Sequence, residues 1–297
     1  MAKAKEIQKR RKSVQNTKKI TRTMEMVSTA KFKKAGDRIK AARPYGERLL
    51  GLVREIASSV RASGQKIDSP LLQVRSPVKR VAVLMLTANR GLCAGYNNNV
   101  IRKTTEVTDA KAALGQIVDL HVSGKKGLAY CRFYDLKVTS STTKLEDKPL
   151  YADVEPLASR FLAEFQSGAI DELHVVYTKF LASSSQKVVA EQLLPLTLPE
   201  AAGAKAASGA GEYLFEPAPA ELLGTLIPEA FKTVFFTAFL HAAASEQVAR
   251  MVAMKNATDA ASDMIKSLTR QYNRARQTQI TMEIAELLGG AEALKGK

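Results

Sequence analysis

The longest stretch of this chain that contains neither glycine nor proline runs from Glu229 to Leu288. Glycine and proline are the residues that most strongly interrupt helices, so the stretch predicts one long helix. Pro228 suits the first turn of that helix, and Gly289 with Gly290 supplies the expected stop. At 1.5 Å per residue the helix would be about 90 Å long, roughly three times the thickness of a small domain. We therefore expect it to protrude and to need a partner.

The last third of this helix has the spacing of a coiled-coil seam, with small or apolar residues three and four positions apart. The seam comprises Ile265, Leu268, Tyr272, Ala275, Gln279 and Met282, of which only Gln279 is polar. Further upstream, Val248, Val252, Asn256 and Asp259 break this register. We expect a wandering seam with mixed polar contacts there.

The N-terminal residues 1–62 predict the partner helix. No glycine or proline occurs from Lys3 to Lys34, where the apolar residues form a thin stripe. The stripe comprises Ile7, Val14, Ile20, Met24 and Val27. After Gly36 the spacing of three and four becomes regular up to Val60, with Pro44 as a possible kink. Residues 63–77 are interpreted as the linker that ends this helix.

Between the two helices, strand and helix patterns alternate. Strands are predicted at 78–87, 117–123, 137–143, 172–180 and 187–194, and helices at 97–107, 125–134 and 150–166. This alternation indicates a Rossmann-like α/β domain over 78–194. A mobile loop and return segment follows over 195–227, before the C-terminal helix over 228–288. Two long helices around one globular insert can pair only with each other, as an antiparallel coiled coil.

The net charge of +16 is concentrated at the N-terminus, where residues 1–48 carry 16 Lys or Arg and 4 Asp or Glu. Such a surface favours an acidic partner, which could be nucleic acid, anionic lipid or an acidic protein. A solvated helix face explains the charge equally simply. No aromatic residue precedes Phe32, so base stacking has no support.

Membrane-spanning and disulfide-bonded classes are disfavoured. The chain has no run of eighteen apolar residues, so membrane attachment is expected only through partners. Cys93 and Cys131 have no C-x-x-C spacing and are expected to be reduced thiols.

Two glycine-containing turns are candidate nucleotide sites. The turn 87–95 follows a strand but lacks G-x-G-x-x-G, so we interpret it as a tight turn whose Asn89 and Arg90 face outward as contact residues. The sequence SGKKG at 123–127 lacks the Walker pattern, which needs G-K followed by Ser or Thr, because Gly127 is followed by Leu128. We therefore expect no cofactor.

No catalytic or metal-binding set is evident either. His121 and His174 lie in apolar strands and are interpreted as core or edge histidines, whereas His241 is expected on the surface of the long helix. The residues alone leave two alternatives to a structural subunit: a basic nucleic-acid-binding protein and a nucleotide-dependent enzyme.

Several motifs resemble the gamma subunit of rotary (F-type) ATP synthases, and they span nearly the whole chain in that family's order. The motifs are SVQNTKKIT at 13–21, NRGLC at 89–93, YLFEP at 213–217, ARMVAMK at 249–255 and YNRARQ at 272–277. Two features depart from the family: Ala94 stands where the family usually has glycine, and residues 195–211 show no likeness to it. The regulatory cysteine pair of the chloroplast type is missing as well.

The resemblance implies an asymmetric antiparallel coiled coil inside a ring of alpha and beta subunits. Its α/β domain would lie toward the epsilon subunit and the membrane c-ring. Implied beta-subunit contacts are Lys9, Arg10, Met24, Arg276 and Gln277. The residues implied on the side of epsilon and the c-ring are Asn89, Arg90, Leu92, Cys93, Tyr213 and Glu216.

The resemblance also implies a function and a location. The chain would be the central rotor shaft of a proton-translocating synthase, coupling c-ring rotation to ATP synthesis on the beta subunits. It would have no catalytic site, metal or cofactor of its own and would bind no nucleic acid. It would lie at the cytoplasmic side of a bacterial cell membrane, as a peripheral protein, and at the inner membrane if the cell is Gram-negative.

Overall fold

The computed structural model describes residues 2–62, 69–145, 148–196 and 219–295. The helices are α1 (Ala2–Ala62), α2 (Tyr96–Ala113), α3 (Lys125–Phe133), α4 (Tyr151–Gln166) and α5 (Pro219–Lys295). The strands are β1 (Arg80–Leu86), β2 (Ile117–Ser123), β3 (Ser140–Thr142), β4 (Glu172–Ala182) and β5 (Ser185–Leu194). The predicted α/β class with long terminal helices is confirmed.

The five strands form one sheet in the order β3-β2-β1-β4-β5. Strands β1 to β4 are parallel, and β5 pairs antiparallel with β4. Central strand β1 is buried from Val81 to Leu86, because helices cover both of its faces. The third strand is shorter than predicted, and β4 and β5 are longer, since they form a hairpin.

The two faces of the sheet support different packing layers. Val81, Val83 and Met85 of β1 join a cluster with residues of α2 and α3. Ala82, Leu84 and Leu86 alternate with them and join a larger cluster on the opposite face. That cluster includes buried residues from α1, α4 and α5, among them Leu49, Val53, Ile56, Phe161, Phe165, Phe231 and Phe235. The C-terminal part of α1 and the N-terminal part of α5 are therefore core elements of the α/β domain.

The chain divides into two compact units, and both divisions fall inside the long helices. One unit comprises Met1–Thr29 with Arg250–Lys297, and the other comprises Ala30–Ala249.

In the first unit, α1 and α5 pair antiparallel. The Thr258 hydroxyl donates to Thr21 Oγ1 at 2.8 Å. The Arg11 guanidinium lies 5.2 Å from the centre of the Tyr272 ring. The residue nearer the start of α1 contacts the residue nearer the end of α5, so the two helices run antiparallel, as the sequence predicted.

The buried side of α1 repeats every seven residues. One row comprises Ile7, Val14, Thr21, Ser28, Ala35, Ala42, Leu49 and Ile56, and none of these residues is exposed. A second row, offset by three, comprises Ala4, Arg11, Lys18, Glu25, Phe32, Ile39, Gly46, Val53 and Val60, again with none exposed. This is the heptad of a left-handed coiled coil.

The predicted N-terminal stripe is wrong at two positions. Ile20 is 59% exposed and Val27 is 49% exposed, whereas their neighbours Thr21 and Ser28 are buried. The apolar residues were a poor guide, because small hydroxyl side chains fill the seam here. They can do so since their polar groups find partners: the Thr21 hydroxyl donates to the Lys18 carbonyl at 3.1 Å.

The predicted seam on α5 holds from Ile265 to Gln279, but Met282 is 59% exposed. The expected break upstream is wrong, since Met254, Thr258 and Ala261 are buried and continue the same spacing. Of the four residues that suggested a break, Val252, Asn256 and Asp259 are exposed, whereas Val248 is buried.

Helix α5 also begins earlier and ends later than predicted, because it passes through Gly224, Pro228, Gly289 and Gly290. At its start, Leu223 and Ile227 are buried in the core, and this packing outweighs the local cost of glycine and proline. At its end, the good helix formers in 291–295 continue the helix past the two glycines. Helix α1 similarly contains Pro44.

Part of the predicted linker is packed against the domain. Pro70–Leu72 form a 3₁₀ turn with Leu71 buried. Arg75 donates to the Ile170 carbonyl at 2.8 Å and to the Phe165 carbonyl. Residues 63–68 and 197–218, which include most of the predicted mobile loop, lie outside the described residues.

One described helix, over Glu221–Ala291, is long and apolar enough by composition to cross a membrane. A buried core helix passes the same test, and Phe231, Phe235 and Phe239 of this helix are buried in the domain core. We therefore interpret its hydropathy as that of a core helix.

The histidines in β2 and β4 are core residues, as predicted. His121 Nδ1 lies 2.7 Å from Ser140 Oγ. Burial and the nearby Arg160 charge lower the pKa of His121 to about 4. Burial also lowers the pKa of His174, which contacts Glu172 at 2.8 Å.

His241 differs from the prediction. Its ring lies 6.4 Å from the ring of Tyr177 in β4, and burial lowers its pKa. The surface assignment was wrong because this part of α5 packs against the sheet.

Gly127 offers a test of how closely α3 packs against β1. A Cβ atom there would lie 2.6 Å from Thr87 Oγ1 and 2.9 Å from Met85 Cε. We expect Gly127→Ala to lower the free energy of unfolding by about 1–3 kcal/mol, since such a clash forces neighbours to move. Chemical denaturation measures the change.

Gly51→Ala is the matched control, because Gly51 lies in α1 with open space around it. This change should raise the free energy of unfolding by roughly 0.5–1 kcal/mol through better helix propensity. Equal effects of the two substitutions would contradict the close approach of α3 to β1.

Candidate functional site

The carboxyl edge of the sheet is the candidate ligand site, because doubly wound α/β folds bind ligands there, where the strand order reverses. In this chain the reversal lies between β1 and β4. The turn 87–95 follows β1 at this edge, and the turn into α3 follows β2.

The N-terminus of α3 is capped by the chain itself. Asn89 Oδ1 accepts from the Lys125 amide at 2.9 Å, and Thr87 Oγ1 accepts from the Gly127 amide at 2.9 Å. The Lys126 amide donates to the Ala88 carbonyl at 3.1 Å. A phosphate group would need these same amides. The SGKKG sequence therefore forms a closed packing joint between β1 and α3.

The glycines of that sequence are required by the joint. A Cβ on Gly124 would lie 2.0 Å from the Thr87 carbonyl oxygen, and Gly124 also has a φ of +104°. Only glycine allows both the close approach and this backbone conformation. The resemblance to a phosphate loop thus has a packing explanation.

The structure describes four of the residues predicted to lie toward epsilon and the c-ring, of which two lie inside the fold and two are exposed. Asn89 points inward, which corrects the outward orientation predicted for it: its Nδ2 donates to the Thr143 and Leu145 carbonyls, each at 3.1 Å. Cys93 is buried, and its sulfur accepts from Asn97 Nδ2 at 3.1 Å. Arg90 is exposed, and Leu92 is 62% exposed.

Tyr213 and Glu216, the other two residues predicted on that side, lie outside the described residues.

The crevice itself is filled by α5. Tyr96 Oη donates to the Ala242 carbonyl at 3.2 Å, and Ser245 Oγ donates to the Thr178 carbonyl at 3.0 Å. The remaining cavity is about 30 Å³, bordered in part by Thr87, Ser123 and Glu246. A cavity needs about 10–15 Å³ by this measure to hold one water molecule, so this one has room for about two.

The predicted beta-subunit contacts lie on the paired helices of the first unit. Lys9, Arg10, Arg276 and Gln277 are exposed, and Met24 is partly buried. The structure thus leaves four of these side chains accessible on one helix pair.

The exposed surface of the same unit also carries large apolar side chains. They are Ile20, Met26, Val27, Val252, Met264, Ile280, Met282, Ile284, Leu287 and Leu288. Apolar side chains exposed in such number are typical of a surface that another protein covers. Among the described residues, no group of three or more His, Cys, Asp or Glu could hold a metal ion.

Sequence reasoning missed the hydroxyl contacts. The Thr21–Thr258 pair gave no apolar signal, although Thr21 and Thr258 both occupy heptad positions. Tyr96 and Ser245 follow no recognisable motif, and only the fold brings them to their carbonyl partners.

An antiparallel pair of terminal helices around an inserted α/β domain defines a class of coiled-coil subunits with a globular insert. The family model described as ATP synthase matches residues 3–294. The ATP synthase gamma chain of Rhodopirellula baltica is 44% identical over 100% of both chains. That of Leptospira biflexa is 43% identical over 99% of this chain and 100% of the relative. The chain belongs to the ATP synthase gamma chain family.

Two solved structures share the fold. A central stalk and c-ring structure of Tetrahymena thermophila mitochondrial ATP synthase contains a chain that aligns with a TM-score of 0.54 and 21% identity, covering 80% of this chain and 99% of that one. A rotor structure of the Euglena gracilis enzyme contains a chain that aligns with a TM-score of 0.50 and 18% identity, covering 86% and 98%.

Asn89 tests the internal role that the structure gives to the turn. We expect Asn89→Ala to lower the free energy of unfolding by about 2–4 kcal/mol, because two carbonyls and one amide lose their partner. Leu92→Ala, in the same turn but exposed, should change it by less than about 0.5 kcal/mol. Urea titration of both variants measures the difference, and an Asn89 variant as stable as the Leu92 variant would refute the internal role.

Proposed function

We propose that this chain is the central-stalk subunit of an F-type ATP synthase and couples rotation of a membrane c-ring to ATP synthesis on the beta subunits. The observation that carries the proposal is the match to the family over residues 3–294, with relatives more than 40% identical along their full length. The proposed partners are the alpha, beta and epsilon subunits and the c-ring.

The mechanism follows from a mismatch of symmetry. A pair of different helices has no threefold symmetry, whereas a ring of three alpha and three beta subunits has approximate threefold symmetry. Each beta subunit therefore meets a different side of the helix pair. A partner that contacts the three beta conformations differently shifts their relative populations, and so gives each site a different nucleotide affinity. Rotation of the pair exchanges those affinities.

We assign the beta-subunit contacts to Lys9, Arg10, Met24, Arg276 and Gln277. The exposure of the four polar side chains supports this assignment. Arginine and lysine side chains suit an acidic partner surface, and arginine can bind a carboxylate through two parallel hydrogen bonds. Arg90 and Leu92 are the exposed candidates for the contact with epsilon or the c-ring, together with Tyr213 and Glu216. Asn89 and Cys93 would support that contact from within the turn.

The subunit would supply coupling without chemistry of its own. The self-capped α3 and the crevice filled by α5 support this view, because both positions at which the fold could hold a nucleotide are taken by its own residues. Membrane association would be indirect, through the c-ring, at the cytoplasmic side of a bacterial membrane, which is the inner membrane in a Gram-negative cell.

A paired substitution tests the C-terminal contacts. In the complete synthase, we expect Arg276→Ala with Gln277→Ala to reduce proton-driven ATP synthesis by about tenfold or more, since a lost charge-assisted hydrogen bond costs about 1.5–3 kcal/mol. The α/β domain is remote in sequence and should unfold at an unchanged denaturant concentration. Synthesis in inverted vesicles and denaturation of the isolated chain are the measurements.

Arg270→Ala with Gln271→Ala is the matched control, because the same two residue types are exposed six positions earlier on α5. This pair should retain most of the synthesis rate. Full activity of the Arg276 and Gln277 variant, or equal loss in both pairs, would contradict the assigned contacts. Failure of the chain to co-purify with alpha and beta subunits would contradict the function itself.

A further inference from the structure

We infer that the hydroxyl groups of Tyr96 and Ser245 fix the rotation of α5 about its own axis relative to the α/β domain. The crevice that binds ligands in related folds holds this helix instead. The inference rests on the proposed function, because a fixed setting matters most in a subunit that transmits torque. Tyr96 and Ser245 are positioning residues and need not touch any partner.

The two hydrogen bonds anchor α5 to both sides of the crevice. Tyr96 begins α2, shortly after β1, and its hydroxyl donates to the Ala242 carbonyl. Thr178 lies in β4, and its carbonyl accepts from Ser245. Since β1 and β4 are neighbours in the sheet, α5 lies across the point where the strand order reverses.

Small side chains allow this close approach. Ala242, Ala243 and Ala244 are consecutive on α5, and all are buried. They bring the helix backbone close enough for a tyrosine hydroxyl to reach a main-chain carbonyl. Ser245 is almost completely buried as well, so both hydrogen bonds are shielded from water.

Directionality distinguishes these contacts from the surrounding apolar packing. Apolar burial depends on area and has no direction, whereas a hydrogen bond weakens steeply once its angle falls below about 120°. The anchored residues are three positions apart, so they lie on nearly the same side of α5. Rotation of α5 about its own axis would strain both bonds together.

Helix α1 has its own contact with the same strand. Its Phe32 ring lies 5.6 Å from the ring of Phe180, two residues beyond Thr178 in β4. The carboxyl end of β4 therefore contacts both terminal helices. A torque applied to the domain would reach α5 through the two hydroxyls and α1 through an aromatic contact.

The test uses Tyr96→Phe, Ser245→Ala and the double variant in the complete synthase. Each substitution removes one oxygen atom and keeps most of the packing, and Ser245→Ala also raises the local helix propensity of α5 by about 0.5 kcal/mol. The F1 part is held on a surface, the rotor is stalled by a non-hydrolysable ATP analogue, and the angular fluctuation of a bead on the α/β domain is recorded. Thermal unfolding of the same complexes is measured in parallel.

We expect the double variant to increase the angular variance by about twofold or more, with each single variant between it and the parent, because two directional bonds are lost. The control pair is Tyr45→Phe with Ser184→Ala, whose side chains are exposed on the same unit, and it should leave the variance unchanged. If the double variant does not assemble, Tyr96→Phe alone decides.

An unchanged angular variance overturns the inference, whether or not the melting temperature falls. If only the melting temperature falls, the hydroxyls contribute to stability and not to the rotation of α5. The failure of the proposed function has a different signature: the parent complex would lack this chain or would show no ATP-driven rotation of the bead.

Discussion

The seven-residue repeat on α1 is the constraint on which the rest of the structure depends. It gives α1 one side that is not exposed in either unit, while the chemistry of that side changes. From Leu49 to Val60 the repeat is filled by large aliphatic residues that join the domain core. At Thr21 and Ser28 it is filled by small hydroxyl side chains. The same helix is therefore part of the domain core in one unit and one of the two coiled-coil helices in the other.

This change in chemistry has an energetic consequence. Burying threonine and serine removes little apolar area from water, so the helix pair of the first unit gains less from its own seam than a leucine-rich coiled coil would. Its larger apolar residues, such as Ile20 and Val27, face outward instead. In the proposed function they are available to a surrounding ring of subunits. The hydroxyl pair Thr21–Thr258 adds a directional contact that favours one register of the two helices.

The sequence predicted those features that depend on period and composition. Long helices, alternating strands and the order of the domain follow from spacing, and the seam from Ile265 to Gln279 was found correctly. The errors arose where tertiary contacts outweigh local preference. Gly289 and Gly290 did not end α5, and Thr21 rather than Ile20 faces the partner helix. Asn89 looked like an exposed loop residue because nothing in the sequence places Lys125, Thr143 and Leu145 beside it.

In the α/β domain, the chain's own residues occupy the positions at which related folds bind ligands. Thr87 and Asn89 occupy the amides that a phosphate would use, and α5 occupies the crevice. The contacts that lie outside this chain could not be predicted from its physics. Which residues meet the beta subunits was inferred from family resemblance, since an exposed Arg276 has many possible partners.

The most direct measurement of the central claim is the rotation of a probe attached to the α/β domain in the surface-held synthase during ATP hydrolysis. The account predicts that the probe turns in one direction and pauses at three angles per turn, one for each beta subunit. A probe that stays still while the same molecules hydrolyse ATP at the normal rate would contradict the account.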